Sequence, residues 1–129
     1  MILLDTHIWI WWMNDEPRLT PRHRDLITAN GPTGLGVSVM SCWELSQLVN
    51  RGRLSLAIPP LQWIEDALTH PHVVLLELTP RIAVEANQLP TWEHRDPVDR
   101  ILVGTARAHG CPILTVDQRI LDYPDVLKP

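Results

Sequence analysis

The chain has 129 residues, which is enough for one domain with a buried core, and we expect a single domain over residues 1–129. Apolar residues make up 45% of the chain and charged residues 20%, an ordinary globular composition that argues against disorder. A net charge of −4 does not indicate the broad basic surface that is usual for nucleic-acid binding, although a bound divalent cation reverses the local sign. We see neither a secretory leader nor the roughly 20 apolar residues of a membrane span, so we expect a soluble cytoplasmic protein without membrane contact.

The first half of the chain predicts two strands, each followed by helix. In chain order the expected elements are a strand at 2–4 (ILL), a helix through about Met13, a helix from Pro21, a strand at 34–39 (GLGVSV) and a helix from about Met40 to Asn50. The second helix has clear boundaries, because Thr20 is a suitable N-cap and Gly31 a suitable stop.

The second half continues the same alternation. The expected elements are a helix within 59–70, a strand at 73–78 (VVLLEL), a helix within 79–89, a helix within 96–110, a strand at 113–116 (ILTV), a short helix and a strand near 125–127. The strands are continuous apolar runs rather than alternating ones, and helices separate them. This pattern predicts an α/β fold in which helices cover both faces of a parallel sheet of four to five strands.

Two of the strand patterns end at an acidic residue. Asp5 follows the first strand and Asp117 follows the strand at 113–116. Ligands of parallel sheets bind beyond the carboxyl ends of the strands, so both acids are expected at that crevice. Each acid also precedes a helical pattern, however, and is an equally good candidate for a helix N-cap. The sequence leaves both interpretations open.

Three further acids belong to helix patterns. Glu44 shares an apolar row of its helix, and a glutamate is seldom buried without a partner. Asp96 is an excellent N-cap because Pro97 follows it at the first helical position. Asp99 falls in the first turn of that helix, where the helix dipole favours an anion. A purely structural role therefore suffices for Asp96 and Asp99, and it is the stronger interpretation for Asp96.

Convergence of these strand ends would bring several carboxylates into one pocket. Two carboxylates about 4 Å apart repel by roughly 4 kcal/mol at an effective dielectric constant of about 20, so such a cluster requires a neutralising cation. Oxygen-only ligation, without Cys or His at metal-binding spacing, suits Mg²⁺ or Mn²⁺. A carboxylate-held ion of this kind supports phosphoryl chemistry, because it activates water and stabilises charge on the phosphate oxygens.

Four segments resemble the PIN-domain ribonucleases, in particular the VapC-type toxins of bacterial toxin–antitoxin pairs. They occur in the family's order and are LLDTHIWIWW, VMSCWELSQL, HRDPVDRILVGTA and ILTVDQRI. The resemblance spans essentially the whole chain and implies a three-layer α/β/α fold with a central parallel sheet. It also implies an Mg²⁺- or Mn²⁺-dependent endoribonuclease that is the toxin of a type II system. The implied partners are an RNA substrate, a cognate antitoxin and a second copy of the chain, in a homodimer or a toxin–antitoxin hetero-oligomer.

The resemblance also implies roles for individual residues. The catalytic acids that it implies are Asp5, Glu44, Asp99 and Asp117, of which all but Glu44 hold the metal ion. The auxiliary residues are Asp96, as a further acid or a cap, and Thr115, as a supporting hydroxyl. No departure from the family pattern occurs at the four acids.

Three arginines lie beside the acids in the sequence, namely Arg95, Arg100 and Arg119. Arginine suits bidentate phosphate contacts, so they are candidates for binding the RNA backbone, while ion pairs with neighbouring aspartates are at least as good an explanation. We assign no role to His7 or His94, because one histidine near an acid is more often structural than a general base.

Other functions explain the acids less well. A phosphate-accepting receiver domain needs a lysine after a late strand, and the only lysine is Lys128. An aspartyl-phosphate hydrolase needs an aspartate two residues after Asp5, where His7 stands. The remaining alternative is a catalytically silent binding module of the same fold that acts through a partner protein, and the intact acid set argues against it.

Overall fold

Four parallel strands form the centre of the computed structural model, which describes residues 1–129. They are β1 (Ile2–Leu4), β2 (Leu35–Ser38), β3 (Val73–Leu76) and β4 (Ile113–Leu114), and their order across the sheet is β3-β2-β1-β4. β1 lies in the middle, where Ile2 is in register with Leu35 of β2 and Leu3 with Ile113 of β4. The predicted parallel sheet is therefore confirmed.

Helices connect the strands and return the chain from the carboxyl end of one strand to the amino end of the next. They are α1 (Thr6–Met13), α2 (Pro21–Asn30), α3 (Val39–Asn50), α4 (Pro60–Leu68), α5 (Pro80–Asn87), α6 (Pro97–His109) and α7 (Gln118–Leu121), with a 3₁₀ turn at Gly31–Thr33. Four of them begin with proline, whose fixed φ angle and missing N–H suit the first helical position. None of the helices combines the length and the apolar character that crossing a membrane requires.

The alternation of side chains along β1 divides the core into two layers. Ile2 and Leu4 point into one buried cluster, which the first four helices cover, whereas Leu3 points into the other, which contains Leu102 and Val103 of α6. This arrangement confirms the expected three-layer α/β/α fold. All of these side chains are fully buried.

Close packing of α5 against α6 fixes the position of α6 on the sheet. A Cβ atom at Gly104 would lie 3.2 Å from the backbone nitrogen of Ala86, so a larger residue would push the two helices slightly apart. Because Asp96 and Asp99 lie at the start of α6, this packing also places them relative to the sheet.

The strands are shorter than the sequence predicts. β3 ends at Leu76 and β4 at Leu114, and the strand expected near 125–127 is not formed. One backbone hydrogen bond, from Ile113 N–H to the Leu127 carbonyl at 3.0 Å, does reach the edge of β4. The tail does not continue alongside β4, because the Lys128 ammonium turns back to donate to the carbonyls of Tyr123 and Val126. That expected strand was wrong.

Candidate functional site

The carboxyl ends of β1 and β4 open into a pocket of about 390 Å³. It is lined by Asp5, His7, Trp11, Glu44, Asp96, Asp99, Val116, Asp117 and Arg119. All four acids that the resemblance singled out lie in this pocket, and so does Asp96. Residues from positions 5 to 119 of the sequence meet here because parallel strands end at the same edge of the sheet.

Asp5 is the most buried of the five acids, with 5% of its surface exposed. One carboxylate oxygen, Oδ1, accepts from the Thr6 N–H at 2.7 Å, and the other, Oδ2, accepts from the Thr115 hydroxyl at 2.5 Å. Burial raises the pKa of Asp5 to about 6, and the charges of Asp99 and Glu44 act in the same direction, while the two hydrogen bonds oppose them. Asp5 is thus both the N-cap of α1 and a wall of the pocket, so the two interpretations of this residue hold together.

Thr115 connects the two strand-end acids. Its hydroxyl donates to Asp5 and accepts from the Asp117 N–H at 2.9 Å. A hydroxyl has one proton to donate, so this pair of bonds fixes its orientation. The end of β4 is thereby held against the end of β1.

Glu44 reaches the pocket from α3 and is half-buried. Burial raises the pKa of its carboxyl group, and the negative charges of Asp99 and Asp96 add to the rise, whereas His7 opposes it. The first turn of α3 is joined to α1 by a hydrogen bond of 2.8 Å from the Thr6 hydroxyl to Ser41 Oγ. α3 therefore presents Glu44 beside the start of α1.

Asp99 has a partner that the sequence did not indicate. His94 Nε2 lies 2.6 Å from Asp99 Oδ2, and both side chains are nearly buried, at 10% and 12% exposure. Burial raises the pKa of Asp99, with the charges of Asp96 and Asp117 adding to it, although the His94 hydrogen bond acts the other way. The Asp99 N–H donates to Asp96 Oδ1 at 3.0 Å, which confirms Asp96 as the N-cap of α6.

The segment that carries His94 has no regular secondary structure, yet several contacts fix it. The Arg100 guanidinium donates to the carbonyls of Trp92 and His94 at 3.1 and 2.9 Å, and to that of Ala86 at 2.9 Å. Trp92 also stacks on Tyr123, with ring centroids 4.5 Å apart. These contacts position His94 against Asp99, and no periodic pattern in the sequence predicts any of them.

The three arginines considered for phosphate binding lie in different places. Arg119 lines the pocket, whereas Arg100 does not and is occupied with backbone carbonyls. Arg95 is exposed and lies in a separate hollow beside Trp92. Of the three, only Arg119 forms an ion pair with a neighbouring aspartate, which was the alternative explanation given for all of them.

Asp117 differs from the other acids because it has that cationic partner. Its Oδ1 accepts from the Arg119 N–H at 2.9 Å, and its Oδ2 lies 3.2 Å from an Arg119 terminal nitrogen. Partial burial raises the pKa of Asp117, but the hydrogen bonds and charge of Arg119 outweigh that effect and leave the pKa below its ordinary value. Both Asp117 oxygens are therefore directed at Arg119, whose side chain is 63% exposed.

The donor set of the pocket fits a hydrated hard cation. No three His, Cys, Asp or Glu side chains enclose one position for an ion. Mg²⁺, however, usually keeps several water ligands and is held by only one or two carboxylates. Asp5, Glu44 and Asp99 have raised pKa values, partly from neighbouring carboxylates, and a divalent cation would remove this repulsion. The residues present therefore fit Mg²⁺ or Mn²⁺.

Comparisons with known proteins agree with this architecture. The chain is 34% identical over 122 residues to Ribonuclease VapC22 of Mycobacterium tuberculosis, covering 95% of this chain and 91% of that protein. The solved structure of VapBC2 from Rickettsia felis, bound to a DNA fragment from their promoter, has a TM-score of 0.74 at 14% identity and covers 100% of this chain and 98% of that one. Mycobacterium tuberculosis VapC20, a sarcin–ricin loop cleaving toxin, has a TM-score of 0.64 at 19% identity, with 100% of both chains covered.

At such identities the two structures support the fold alone. The family is shown by sequence, because the model of the PIN domain matches residues 2–126. That match spans the sheet, the acid pocket and the helices that carry its side chains, and it confirms the resemblance found in the sequence. The chain belongs to the PIN-domain family.

Proposed function

We propose that this protein is an endoribonuclease that uses Mg²⁺ or Mn²⁺ to hydrolyse RNA phosphodiester bonds, and that it is the toxin of a VapBC-type toxin–antitoxin pair. The observation that carries the proposal is the meeting of Asp5, Glu44, Asp99 and Asp117 in one pocket at the carboxyl edge of the sheet. The name of the relative at 34% identity, a VapC ribonuclease, supports the reaction and the biological class.

Within this proposal, Asp5, Asp99 and Asp117 hold the ion, and Glu44 binds it or orients the attacking water. The ion would supply activation of water and stabilisation of charge on the phosphate and leaving oxygens. Thr115 holds Asp5 in place through its hydroxyl, and His94 does the same for Asp99.

Arg119 has a second role in the proposal. Its guanidinium is exposed at the pocket, so it can exchange the Asp117 carboxylate for an RNA phosphate. That exchange would release the Asp117 oxygens toward the ion as substrate arrives. Asp96 remains an auxiliary acid, because its Oδ1 is already used in capping α6.

A cognate antitoxin and a second copy of this chain are the proposed protein partners. The similar solved structures from Rickettsia felis and Salmonella typhimurium are VapBC complexes, which supports an antitoxin as partner. A catalytically silent binding module is not favoured, because all four acids are present and share one pocket.

The proposal is tested by RNA cleavage with the purified protein in Mg²⁺, in Mn²⁺ and with a chelator. Asp5→Asn should abolish cleavage and relieve growth arrest on expression, whereas Asp96→Asn should have a milder effect. Asp25→Asn is the matched control, because Asp25 is exposed and does not line the pocket. Cleavage by Asp5→Asn at the wild-type rate, or undiminished cleavage in chelator, would contradict the proposal.

A further inference from the structure

An aromatic surface continues outward from one wall of the acid pocket. His7 and Trp11 are four residues apart on α1 and therefore share one face of the helix. Their ring centroids are 6.1 Å apart, and both side chains line the pocket. Since α1 begins directly after Asp5, this face runs away from the acids, and Trp11 lies about 9 Å further along the helix axis.

Arg18 extends this surface. Its guanidinium carbon lies 4.9 Å from the centroid of the Trp11 ring, and its side chain is 64% exposed. The turn after α1 brings it there, because the Glu16 N–H donates to the Trp11 carbonyl at 2.8 Å and the Glu16 carboxylate accepts from Arg18 Nε at 3.2 Å. We call His7, Trp11 and Arg18 the ledge.

Packing explains only the inner side of the ledge. Trp11 is half-buried and contacts the core layer beneath α1. The Arg18 guanidinium over the indole and the exposed His7 imidazole lie outside that packing. The outer side is therefore a surface of two aromatic rings, inclined at 61° to each other, and a guanidinium that pairs with Glu16, and it ends at a pocket of carboxylates.

Such a surface matches the chemistry of single-stranded RNA. Nucleobases stack on aromatic rings and on guanidinium planes, and a phosphate next to the stacked base is attracted by the same arginine. The acids themselves repel a polyanion, so a strand entering the pocket needs cations near it. Arg119 at the pocket and Arg18 beside Trp11 are both largely exposed. Each can exchange its present carboxylate partner, Asp117 or Glu16, for a phosphate.

We propose that the ledge binds a nucleobase of the RNA substrate, adjacent to the phosphate that is cleaved at the acids. The inference rests on the proposed ribonuclease function and adds to it a binding subsite for one flanking nucleotide. Recognition by stacking tolerates any base, so the ledge contributes affinity and position more than sequence selection.

The test compares variants for binding of a fluorescently labelled, short single-stranded RNA of mixed sequence, measured by anisotropy in Mg²⁺ on the Asp5→Asn background. Stacking of one base contributes a factor of about 5 to 150 in affinity. Trp11→Leu keeps an apolar side chain toward the core and should weaken binding by about tenfold or more, whereas Trp11→Phe keeps an aromatic plane and should bind nearly as well as the parent. Arg18→Lys keeps the charge but loses the plane, so it should also bind more weakly.

Two controls separate the ledge from general effects of charge or of exposed tryptophan. Trp43→Ala removes a tryptophan that is 51% exposed and does not line the pocket, and Arg53→Ala removes an exposed arginine elsewhere on the surface. Neither should change the affinity. A further comparison uses an RNA with an abasic nucleotide next to the cleaved phosphate. The parent should bind this RNA more weakly than the intact one, whereas Trp11→Leu should bind the two RNAs equally.

The outcomes distinguish the inference from the function on which it rests. If the wild-type protein cleaves RNA in Mg²⁺ but Trp11→Leu and Arg18→Lys bind RNA like the parent, the ledge is not an RNA subsite and the inference is overturned alone. Loss of a protein partner in those variants, with RNA binding unchanged, would assign the ledge to that partner. Absence of RNA cleavage by the wild type under every metal condition would overturn the proposed function and the ledge together.

Discussion

The charged groups at the C-terminal end of α6 are paired, whereas the acid at its N-terminal end lies among other acids. At its C-terminal end, Arg107 Nε lies 2.8 Å from Glu85 Oε1 of α5, and a terminal nitrogen of Arg107 donates to the Asp125 carbonyl at 2.5 Å. At its N-terminal end, Asp99 is buried among other acids with only His94 as a partner. The Arg107–Glu85 pair that joins two helices is partly exposed, whereas Asp5, Glu44 and Asp99 in the pocket are desolvated and lie near other carboxylates that repel them. The aspartates and glutamates with raised pKa values, Asp5, Glu44 and Asp99, all line this pocket, which makes it the candidate functional site.

The largest expected difference in RNA cleavage is between a variant at the N-terminal end of α6 and a variant at its C-terminal end. Asp99→Asn should lower the rate of RNA cleavage by about 100-fold or more, since it removes a proposed metal ligand, without lowering the stability of the metal-free protein. Arg107→Gln should leave cleavage unchanged and lower the free energy of unfolding by at most about 1 kcal/mol, because the Arg107–Glu85 pair is partly exposed. Cleavage assays and urea unfolding measure both, and loss of activity in Arg107→Gln would remove the contrast between the two ends.

The pH dependence of stability should reveal the repulsion in the pocket. The pKa of Asp5 is about 6 in the folded protein against an ordinary value of 3.8, so between these values the folded state binds more protons than the unfolded state. The free energy of unfolding of the metal-free protein should therefore fall as pH rises from about 4 to above 6, by up to about 3 kcal/mol from this group. The raised pKa values of Glu44 and Asp99 act in the same direction.

Two additions make this pH measurement specific. Asp5→Asn should flatten the profile, and saturating Mg²⁺ should restore stability above pH 6, since the ion competes with protons for the carboxylates. Urea unfolding across this pH range measures both effects. If the free energy of unfolding of the metal-free wild type instead rose with pH through pH 6, the carboxyl groups of the pocket would not have the raised pKa values given above.

Changing His94 should weaken metal binding by Asp99 and should not lower the stability of the fold. His94→Ala should weaken Mn²⁺ binding by about 10- to 100-fold, because the partner that orients a ligating carboxylate is lost. His94→Gln can place an N–H near the position of Nε2 and should recover much of that affinity. His109→Ala, at the exposed C-terminal end of α6, is the matched control. A lower melting temperature for His94→Ala with unchanged Mn²⁺ affinity would show that the contact only stabilises the loop.

The sequence predicted the parts of the fold that local pattern determines. Continuous apolar runs located all four strands, and capping residues such as Thr20 located helix starts. Strand ends were less accurate, because the apolar residues Leu78 and Val116 extend the sequence pattern beyond Leu76 and Leu114, where the strands end. The strand expected near 125–127 was wrong for a similar reason, because this segment makes one backbone hydrogen bond with Ile113 and does not form a strand.

Four of the five acids were predictable because they stand at strand ends or helix starts, and Glu44 was predictable from its place in an apolar row of α3. Of their partners, Thr115 was expected from the resemblance, whereas His94 was not predicted. The contact between His94 and Asp99 depends on a loop that Arg100 fixes through backbone carbonyls, and no sequence pattern reports a hydrogen bond to a carbonyl. The pairing of Arg119 with Asp117 was foreseen only as one of two alternatives. These interactions depend on rotamers and on packing between distant segments, which emerge only in three dimensions.

Titration of the purified protein with Mn²⁺ near neutral pH, followed calorimetrically, tests most directly whether the clustered acids hold a divalent ion. We predict saturable binding by the wild type, loss of that binding in Asp5→Asn and Asp99→Asn, and unchanged binding in Asp25→Asn. Wild-type protein that binds no Mn²⁺, or an Asp5→Asn variant that binds it as tightly as the wild type, would contradict this account.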